Sequence, residues 1–173
     1  MSRGVFLRRA LAEDVPGLAA LEAACFSHPW TPSQIADEIA GTGPGGMVVL
    51  DGRPRRDGEG SLRAYCAFRV ILDEMTVMNL AVAPDARRRG LARWLLGFAM
   101  GKGAREGARR ALLELRAGNR AALALYESLG FERLGVRRTY YREPVEDALV
   151  LVREGLQGLL DSPGRGLVPG ILN

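Results

Sequence analysis

The stretch "NLAVAPDARRRGLARWLL", residues 79–96, changes its hydrophobic pattern halfway along. Its first half is a nearly continuous apolar run that ends at Pro84, as expected for a buried strand. From Leu91 onward the apolar residues recur at helical spacing, and Gly90 stands at the start of that helix. A buried strand followed at once by an amphipathic helix indicates a mixed α/β fold.

The loop in the middle of this stretch suits a bound phosphate. The first N–H groups of a helix have no partner within it, and the helix dipole favours an anion there. Gly90 permits close approach of the backbone, and Ala92 keeps the surface small. Positive charge comes from three consecutive residues, Arg87, Arg88 and Arg89. A basic solvated loop is the alternative, and neither the G-x-x-x-x-G-K-[ST] nor the G-x-G-x-x-G pattern of ATP and NAD sites is present.

A second stretch, "LLELRAGNRAALALYESLGF" at residues 112–131, places polar groups in apolar surroundings. Glu114 interrupts an apolar strand, where an unpaired carboxylate is costly. Tyr126 falls on the apolar stripe of the next helix, and Asn119 stands at that helix's start. Plain structural roles are the alternatives. Glu114 shares a strand face with Arg116 and could be a half-exposed surface group, Tyr126 could be core, and Asn119 only a cap.

The remaining pattern predicts alternating strands and helices in one domain, residues 1–154, followed by a Gly/Pro-rich, loosely held tail, residues 155–173. Thr31 and Gln34 form a predicted capping box, and Gly101 with Gly103 is expected to close the third helix. The predicted strands are 5–11, 47–52, 61–72, 74–84, 111–116, 131–141 and 146–152; the predicted helices are 13–26, 31–40, 90–103 and 119–129.

Composition limits the class of protein. The 173 residues are 47% hydrophobic and 25% charged, which is ordinary for a soluble globular chain. No apolar run could span a membrane and no signal peptide is evident, so we expect a cytoplasmic protein without a membrane partner. The net charge is +4, with Lys102 the only lysine. A nucleic-acid surface is one interpretation, but we attribute most arginines to compositional bias and expect no direct nucleic-acid binding.

The cysteines and the histidine suggest no metal or nucleophile site. Cys25 and Cys66 lie in apolar surroundings without C-x-x-C spacing, so we predict two buried free thiols. His28 is the only histidine, which leaves no Cys/His set for zinc. A Ser-His-Asp triad would have to use this loop residue. We therefore predict no metal and no covalent acyl intermediate.

Four motifs in order resemble the GNAT superfamily of N-acetyltransferases. They are the two stretches above, "RRTYYREPVEDALVL" at 137–151, and "CFSHPWTPSQI" at 25–35. Within the superfamily they are most similar to the RimI branch, the bacterial ribosomal-protein-alanine N-acetyltransferases. The resemblance covers roughly residues 5–152. It implies an α/β (α+β) GNAT fold: a mixed central sheet of about seven strands, flanked by about four helices and splayed between the fourth and fifth strands.

The resemblance also implies acetyl-CoA as co-substrate, wedged between strands 75–83 and 111–116, and no metal. The backbone of three strand residues would pair with the pantetheine arm: Leu80, Ala81 and Val82. The pyrophosphate would lie against Arg87, Arg88, Arg89, Gly90, Leu91, Ala92 and Arg93. Asn119 matches a cofactor-contacting asparagine of the family.

For catalysis, the resemblance implies Glu114 as general base and Tyr126 as general acid. An apolar setting would make Glu114 a stronger base. Trp30, Tyr140 and Tyr141 match positions near the family's peptide entrance, although they could equally be structural. The loop at 142–145 is shorter than the branch usually has, which bears on the choice of substrate.

The chemistry favours an N-terminal amine as acceptor. An α-amine, with a pKa of about 8, is neutral in roughly one molecule in ten at pH 7, against about one in several thousand for lysine. Together with this preference, the resemblance to the RimI branch implies acetylation of the N-terminal alanine of a small-subunit ribosomal protein. Alternatives are acetylation of a lysine side chain or a small amine, and a non-catalytic coenzyme A- or RNA-binding module.

Overall fold

Seven strands and four α-helices make up the part of the chain that the structure describes, residues 5–52 and 62–160 of a computed structural model. The strands are β1 (Val5–Arg9), β2 (Gly45–Gly52), β3 (Leu62–Ile71), β4 (Glu74–Val82), β5 (Arg110–Arg116), β6 (Glu132–Arg142) and β7 (Val145–Arg153). The helices are α1 (Val15–Cys25), α2 (Pro32–Ala40), α3 (Leu91–Arg105) and α4 (Arg120–Glu127). The predicted strand and helix order is confirmed. Residues 53–60, whose polar, glycine-containing sequence predicts a connection between two strands, lie outside the described residues.

All strands join one sheet in the order β1-β2-β3-β4-β5-β7-β6. Neighbours are antiparallel except β4 and β5, which are parallel and pair only from Glu74–Arg110 to Val77–Leu113. Met78 is an extra residue in the pairing of β4 with β3, between the partners of Ala67 and Phe68. Such a bulge bends its strand. It stands where β4 parts from β5, so the predicted splay between the fourth and fifth strands is confirmed.

The hydrophobic core lies on both faces of the sheet. Five consecutive β3 residues, 64–68, are buried, which is the pattern of a strand covered on both sides. Helix α1 packs against β3 and β4, while α3 packs against β2, β3 and β4. Leu18 and Leu21 of α1 are buried as their spacing predicts. These layers hold β4 firmly up to the point where it leaves β5.

Helix α3 does not end at its glycines, and the prediction that Gly101 and Gly103 close it is wrong. The helix continues to Arg105. A Cβ on Gly103 would lie 2.8 Å from the Sδ atom of Met75, a buried residue of β4. Gly103 therefore serves the close packing of helix on strand, a requirement that the local sequence does not reveal.

The start of the predicted tail is held in place. Residues Leu156–Leu159 form a 3-10 turn in which Leu156 is fully buried. Gln157 Nε2 donates to the carbonyls of Ala104 (3.0 Å) and Ala108 (2.7 Å) at the end of α3. The prediction of a loosely held segment is therefore wrong for residues 155–160, because buried Leu156 and the two hydrogen bonds of Gln157 hold this segment in place. Residues 161–173 lie outside the described residues.

The two glycines of α3 provide a matched test of this packing. A Gly101→Ala change places its Cβ near only the Arg105 side chain, at 4.0 Å, and we expect the gain of about 1 kcal/mol typical of a helix interior. A Gly103→Ala change has the same propensity gain but overpacks Met75, which costs about 1–3 kcal/mol. Chemical denaturation of both variants should therefore give a lower free energy of unfolding for Gly103→Ala. Equal stabilisation by both would contradict the packing role.

Candidate functional site

The splay leaves one edge of β4 without a strand partner among the described residues. Beyond Val77, β4 pairs only with β3, where Leu80 faces Cys66 and Ala81 faces Tyr65. The predicted cofactor residues Leu80, Ala81 and Val82 all lie in this section. Backbone groups on an unpaired strand edge can bind an extended ligand as if it were another strand. The structure thus places these three residues where such a ligand could lie.

The start of α3 has the backbone geometry of an anion site. Arg88 and Gly90 have φ angles of +63° and +78°, both in the left-handed region. Alternation of left-handed and ordinary residues turns successive N–H groups toward one side, which makes a concave anion-binding surface. Gly90 is the N-cap of α3 and has no capping side chain, so the N–H groups of the first turn, Leu91 to Arg93, have no side-chain cap.

The four predicted phosphate-binding arginines differ in how their side chains are placed. Arg87 turns back onto the protein, where its Nε donates to the Val82 carbonyl at 3.1 Å and its Nη2 lies 3.5 Å from Cys25 Sγ. Arg93 donates to Ser128 Oγ at 2.6 Å. Arg88 and Arg89 are exposed. Of the four, only Arg88 and Arg89 make no such side-chain bond to the described part of the chain, so their charge stays available at the loop.

Glu114 is the first residue of β5 beyond the last pair with β4, so it stands where the two strands part. Its side chain retains 31% exposure, and its Oε1 lies 2.7 Å from Arg137 Nε in a salt bridge. Arg137 belongs to β6 and reaches Glu114 across β7. The expected apolar setting for this carboxylate is therefore wrong. Glu114 points away from the face that buries Leu113 and Leu115, and it is already paired with a cation.

Tyr126 and Asn119 occupy the two ends of α4. Tyr126 is 9% exposed and packs edge-to-face on Phe131, with ring centroids 5.7 Å apart. Burial raises the pKa of the Tyr126 hydroxyl, so the phenol remains protonated at neutral pH. Asn119 is the N-cap, and its Oδ1 accepts from the Ala122 N–H at 3.1 Å. The capping role of Asn119 leaves its amide NH₂ for other contacts.

Two aromatic residues and two cations surround Glu114. Tyr140 and Tyr141 lie edge-to-face, with centroids 5.2 Å apart. The Arg137 guanidinium lies 5.6 Å from the Tyr140 ring centroid, and that of Arg116 lies 4.0 Å from the Tyr141 centroid. Burial raises the pKa of the Tyr141 hydroxyl. The structure therefore brings the predicted base together with the two predicted acceptor-site tyrosines.

Arg116 also fixes the short loop between β6 and β7. It donates to the carbonyls of Glu143 (3.2 Å) and Pro144 (3.4 Å) and to Glu146 Oε2 (3.2 Å). From the sequence, Arg116 had no predicted role beyond sharing a strand face with Glu114. Its contacts lie 27 to 30 residues away in the chain, so a local pattern could not have identified them.

The loop between α1 and α2 forms another wall of this region. Trp30 is half-buried and packs against the core. Its backbone N–H donates to Glu22 Oε2 at 2.7 Å, and the Asn79 side chain of β4 donates to Glu22 Oε1 at 2.9 Å. His28 Nε2 lies 4.0 Å from Glu143 Oε2 in the β6–β7 loop. Glu22 was missed, although its position four residues after Leu18 falls on the buried stripe of α1.

The other titratable groups add little to the site. Both cysteines are free as predicted; Cys66 is buried, while Cys25 is only partly so. Burial raises the pKa of the Cys66 thiol to about 12, which keeps it from acting as a nucleophile. Across 5–52 and 62–160, no cluster of three or more His, Cys, Asp and Glu side chains could hold a metal ion. None of the helices in these ranges has the length and apolar character needed to cross a bilayer.

The splayed mixed sheet, the open edge on β4 and the left-handed residues at the turn into α3 fit the class of acyl-CoA-dependent transferases. Residues 15–131 match the family described as "Acetyltransferase (GNAT) family". The chain belongs to the GNAT acetyltransferase family, whose co-substrate is acetyl-CoA.

Two relatives of named activity match most of the chain. It is 35% identical to the "[Ribosomal protein bS18]-alanine N-acetyltransferase" of Escherichia coli, over 80% of this chain and 89% of that one. It is 36% identical to the "N-alpha-acetyltransferase RimI" of Mycobacterium tuberculosis, over 82% and 87%. The crystal structure of the Escherichia coli ribosomal-protein-S18-alanine N-acetyltransferase superposes with a TM-score of 0.75 at 29% identity, covering 98% of both chains. Arabidopsis thaliana NAA60 with acetyl-CoA, at 17% identity, TM-score 0.77 and coverage of 87% and 99%, shares the fold.

Gly90 offers a test of the anion site. A Cβ there would meet no protein atom within 4 Å, so Gly90→Ala should not disturb packing, but it disfavours the left-handed backbone by about 1–2 kcal/mol. We expect about tenfold weaker acetyl-CoA binding in isothermal titration calorimetry, because the N–H groups turn away and the methyl group intrudes on the anion. Gly43→Ala is the control, since its Cβ also meets open space without a positive φ. Equal affinities in all three proteins would contradict the assignment.

Proposed function

We propose that this protein transfers the acetyl group of acetyl-CoA to the N-terminal α-amine of a protein, namely the N-terminal alanine of a small-subunit ribosomal protein. The reaction takes place in the cytoplasm, where ribosomal proteins are made. One observation carries the proposal: Glu114 lies where β4 and β5 part, next to the open edge of β4. A carboxylate that can accept a proton thus lies beside the β4 edge where the thioester of acetyl-CoA would bind. The activities named for the two relatives supply the acceptor class.

The proposed cofactor site uses mainly backbone groups. The open edge of β4, at Leu80 to Val82, binds the pantetheine arm. The N–H groups from Arg88 to Arg93 bind the pyrophosphate, with charge supplied by Arg88 and Arg89. Arg87 and Arg93 contribute mainly by fixing the loop, because their guanidinium groups already bond to Val82 and Ser128. Asn119 contributes through its amide NH₂.

The chemistry needs a neutral amine and a protonated leaving group. At neutral pH an α-amine is protonated in about nine molecules of ten, so the enzyme must remove one proton before or during attack. Glu114 accepts this proton, directly or through water, as the amine nitrogen bonds to the thioester carbonyl carbon. The C–S bond then breaks, and the electron pair leaves with sulfur. Tyr126 donates its hydroxyl proton to that thiolate, and the second proton that the nitrogen loses as it becomes an amide replaces it on the Tyr126 oxygen through water.

The environments of the two groups suit these roles for different reasons. The salt bridge to Arg137 holds the Glu114 side chain at the point where β4 and β5 part, where an incoming amine can reach it. Tyr126 is buried, and its raised pKa keeps the donor proton in place at neutral pH. Deprotonation of a lysine side chain costs about 3 kcal/mol more than deprotonation of an α-amine, because the pKa of lysine is higher. A single carboxylate base therefore suits the α-amine better.

The acceptor class is tested with two basic peptides and acetyl-CoA, analysed by mass spectrometry. One peptide has a free N-terminal alanine and no lysine; the other has a blocked N-terminus and an internal lysine. We expect a gain of one acetyl group on the first alone, because its amine is the more readily deprotonated. A gain on the second alone would contradict the proposal and assign the protein to lysine or small-amine acetylation.

The catalytic roles are tested by Glu114→Gln and Tyr126→Phe, each of which preserves side-chain volume. Either change should lower kcat by about a hundredfold or more, the usual contribution of general acid–base catalysis, with little change in acetyl-CoA affinity. The deficit of Glu114→Gln should shrink as pH rises toward 9, because the α-amine then loses its proton to solvent. No alkaline loss from Tyr126 is expected below about pH 10, because its pKa is raised above the ordinary phenol value.

Glu127→Gln is the control for these variants. It removes an exposed carboxylate next to Tyr126 on the same helix. Its kcat should match that of the unmodified protein. A Glu114→Gln variant as active as this control at pH 7 would overturn the role of Glu114.

A further inference from the structure

Glu22 is a buried carboxylate that the proposed chemistry does not use. Its side chain, on α1, is 1% exposed. Taking a carboxylate out of water is costly, and proteins retain such groups only when they are well hydrogen-bonded. Burial raises the pKa of Glu22, while the bonds from Trp30 and Asn79 act in the opposite direction. A raised pKa in the folded state means that ionised Glu22 reduces stability at neutral pH.

The two bonds of Glu22 connect the two sides of the site. Trp30 N–H lies in the α1–α2 loop, and Asn79 lies on β4 between the Met78 bulge and the open edge at Leu80. Three residues further along α1, Cys25 Sγ donates to the Val82 carbonyl at 3.4 Å. The end of α1 is therefore attached to the open section of β4 at two points.

The loop that follows is thereby directed across the splay. It leaves α1 at Phe26 and reaches the β6–β7 loop, where His28 lies 4.0 Å from Glu143. Arg116 holds that second loop through the Glu143 carbonyl. The α1–α2 loop thus spans from the cofactor strand to the region of Tyr140 and Tyr141. Both loops therefore lie on the side of the sheet opening where Glu114 and the two tyrosines are found.

A carboxylate is the side chain that suits both donors at once. Trp30 N–H can only donate, and Asn79 presents its NH₂, so Glu22 must accept on both oxygens. An apolar side chain leaves a buried N–H unpaired. A glutamine can accept from Trp30 and donate to Asn79 only if the Asn79 amide turns over to present its oxygen.

We propose that Glu22 is a positioning residue for the acceptor: it fixes the Trp30 loop to the cofactor strand through Asn79, and so sets the width of the entrance for the N-terminal peptide. The identity of the acceptor rests on the proposed function, whereas the attachment of the Trp30 loop to β4 through Glu22 does not. It assigns Glu22 to acceptor binding, with no part in acetyl-CoA binding or in proton transfer.

The test compares Glu22→Met, which removes both acceptors, with Glu22→Gln, which can keep both bonds. Asn79→Ala removes only the hydrogen bond that links Glu22 to β4. It replaces Glu22→Met in the test if Glu22→Met does not fold. Loss of a buried hydrogen bond corresponds to roughly a tenfold change in an equilibrium constant. We expect Glu22→Met to raise KM for the alanine peptide about tenfold, with KM for acetyl-CoA and kcat within about twofold of the parent. Glu22→Gln should restore the peptide KM, with a Tm no lower than the parent's.

A second readout does not depend on activity. Trp30 and Trp94 are the only tryptophans, so a Trp94→Phe background reports on Trp30 alone. Acrylamide quenching of Trp30 should increase in Glu22→Met and Asn79→Ala but not in Glu22→Gln. Unchanged quenching in the first two, or an acetyl-CoA KM that rises as much as the peptide KM, would overturn the inference. If the parent acetylates no peptide, the proposed function fails, and the quenching result still decides whether Glu22 holds the loop.

Discussion

The site depends on how far β4 and β5 remain paired. Their parallel ladder extends over four residue pairs and stops at Val77 and Leu113, where the extra residue Met78 bends β4 away. If the ladder continued, Leu80 to Val82 would pair with β5 and Glu114 would lie within a closed sheet. The bulge therefore creates both the open backbone edge and the exposed position of the proposed base. The packing of α1 and α3 on β4 holds β4 in this position.

Charged side chains connect the loops around that opening. Arg116 bonds the β6–β7 loop, Arg137 pairs with Glu114 across β7, and Glu22 joins the α1–α2 loop to β4. Such groups contribute little to stability, because desolvation offsets much of what their bonds provide. Their value lies in holding loops at fixed positions relative to the sheet. An enzyme that must align an amine with a thioester needs this positional precision.

Local sequence patterns predicted the elements well, because their signals are local. The capping box of Thr31 and Gln34 and the helix start at Gly90 are both present in the structure. Features that depend on distant residues were not predictable in this way. The close contact of Gly103 with Met75 and the pairing of Arg137 with Glu114 both require the sheet order to be known. The carboxylate of Glu114 is tolerated in an apolar strand because it faces the opening and a cation, in place of the apolar setting that the sequence predicted.

The central claim is that acetyl-CoA binds in the opening between β4 and β5. Residue-resolved amide hydrogen exchange, measured by NMR with and without acetyl-CoA, tests it most directly. The account predicts that binding slows exchange at residues 78–82 of β4 and at residues 88–93 at the start of α3, with little change in β1 at the far edge of the sheet. Unchanged exchange in both of these segments, with protection appearing elsewhere, would contradict it.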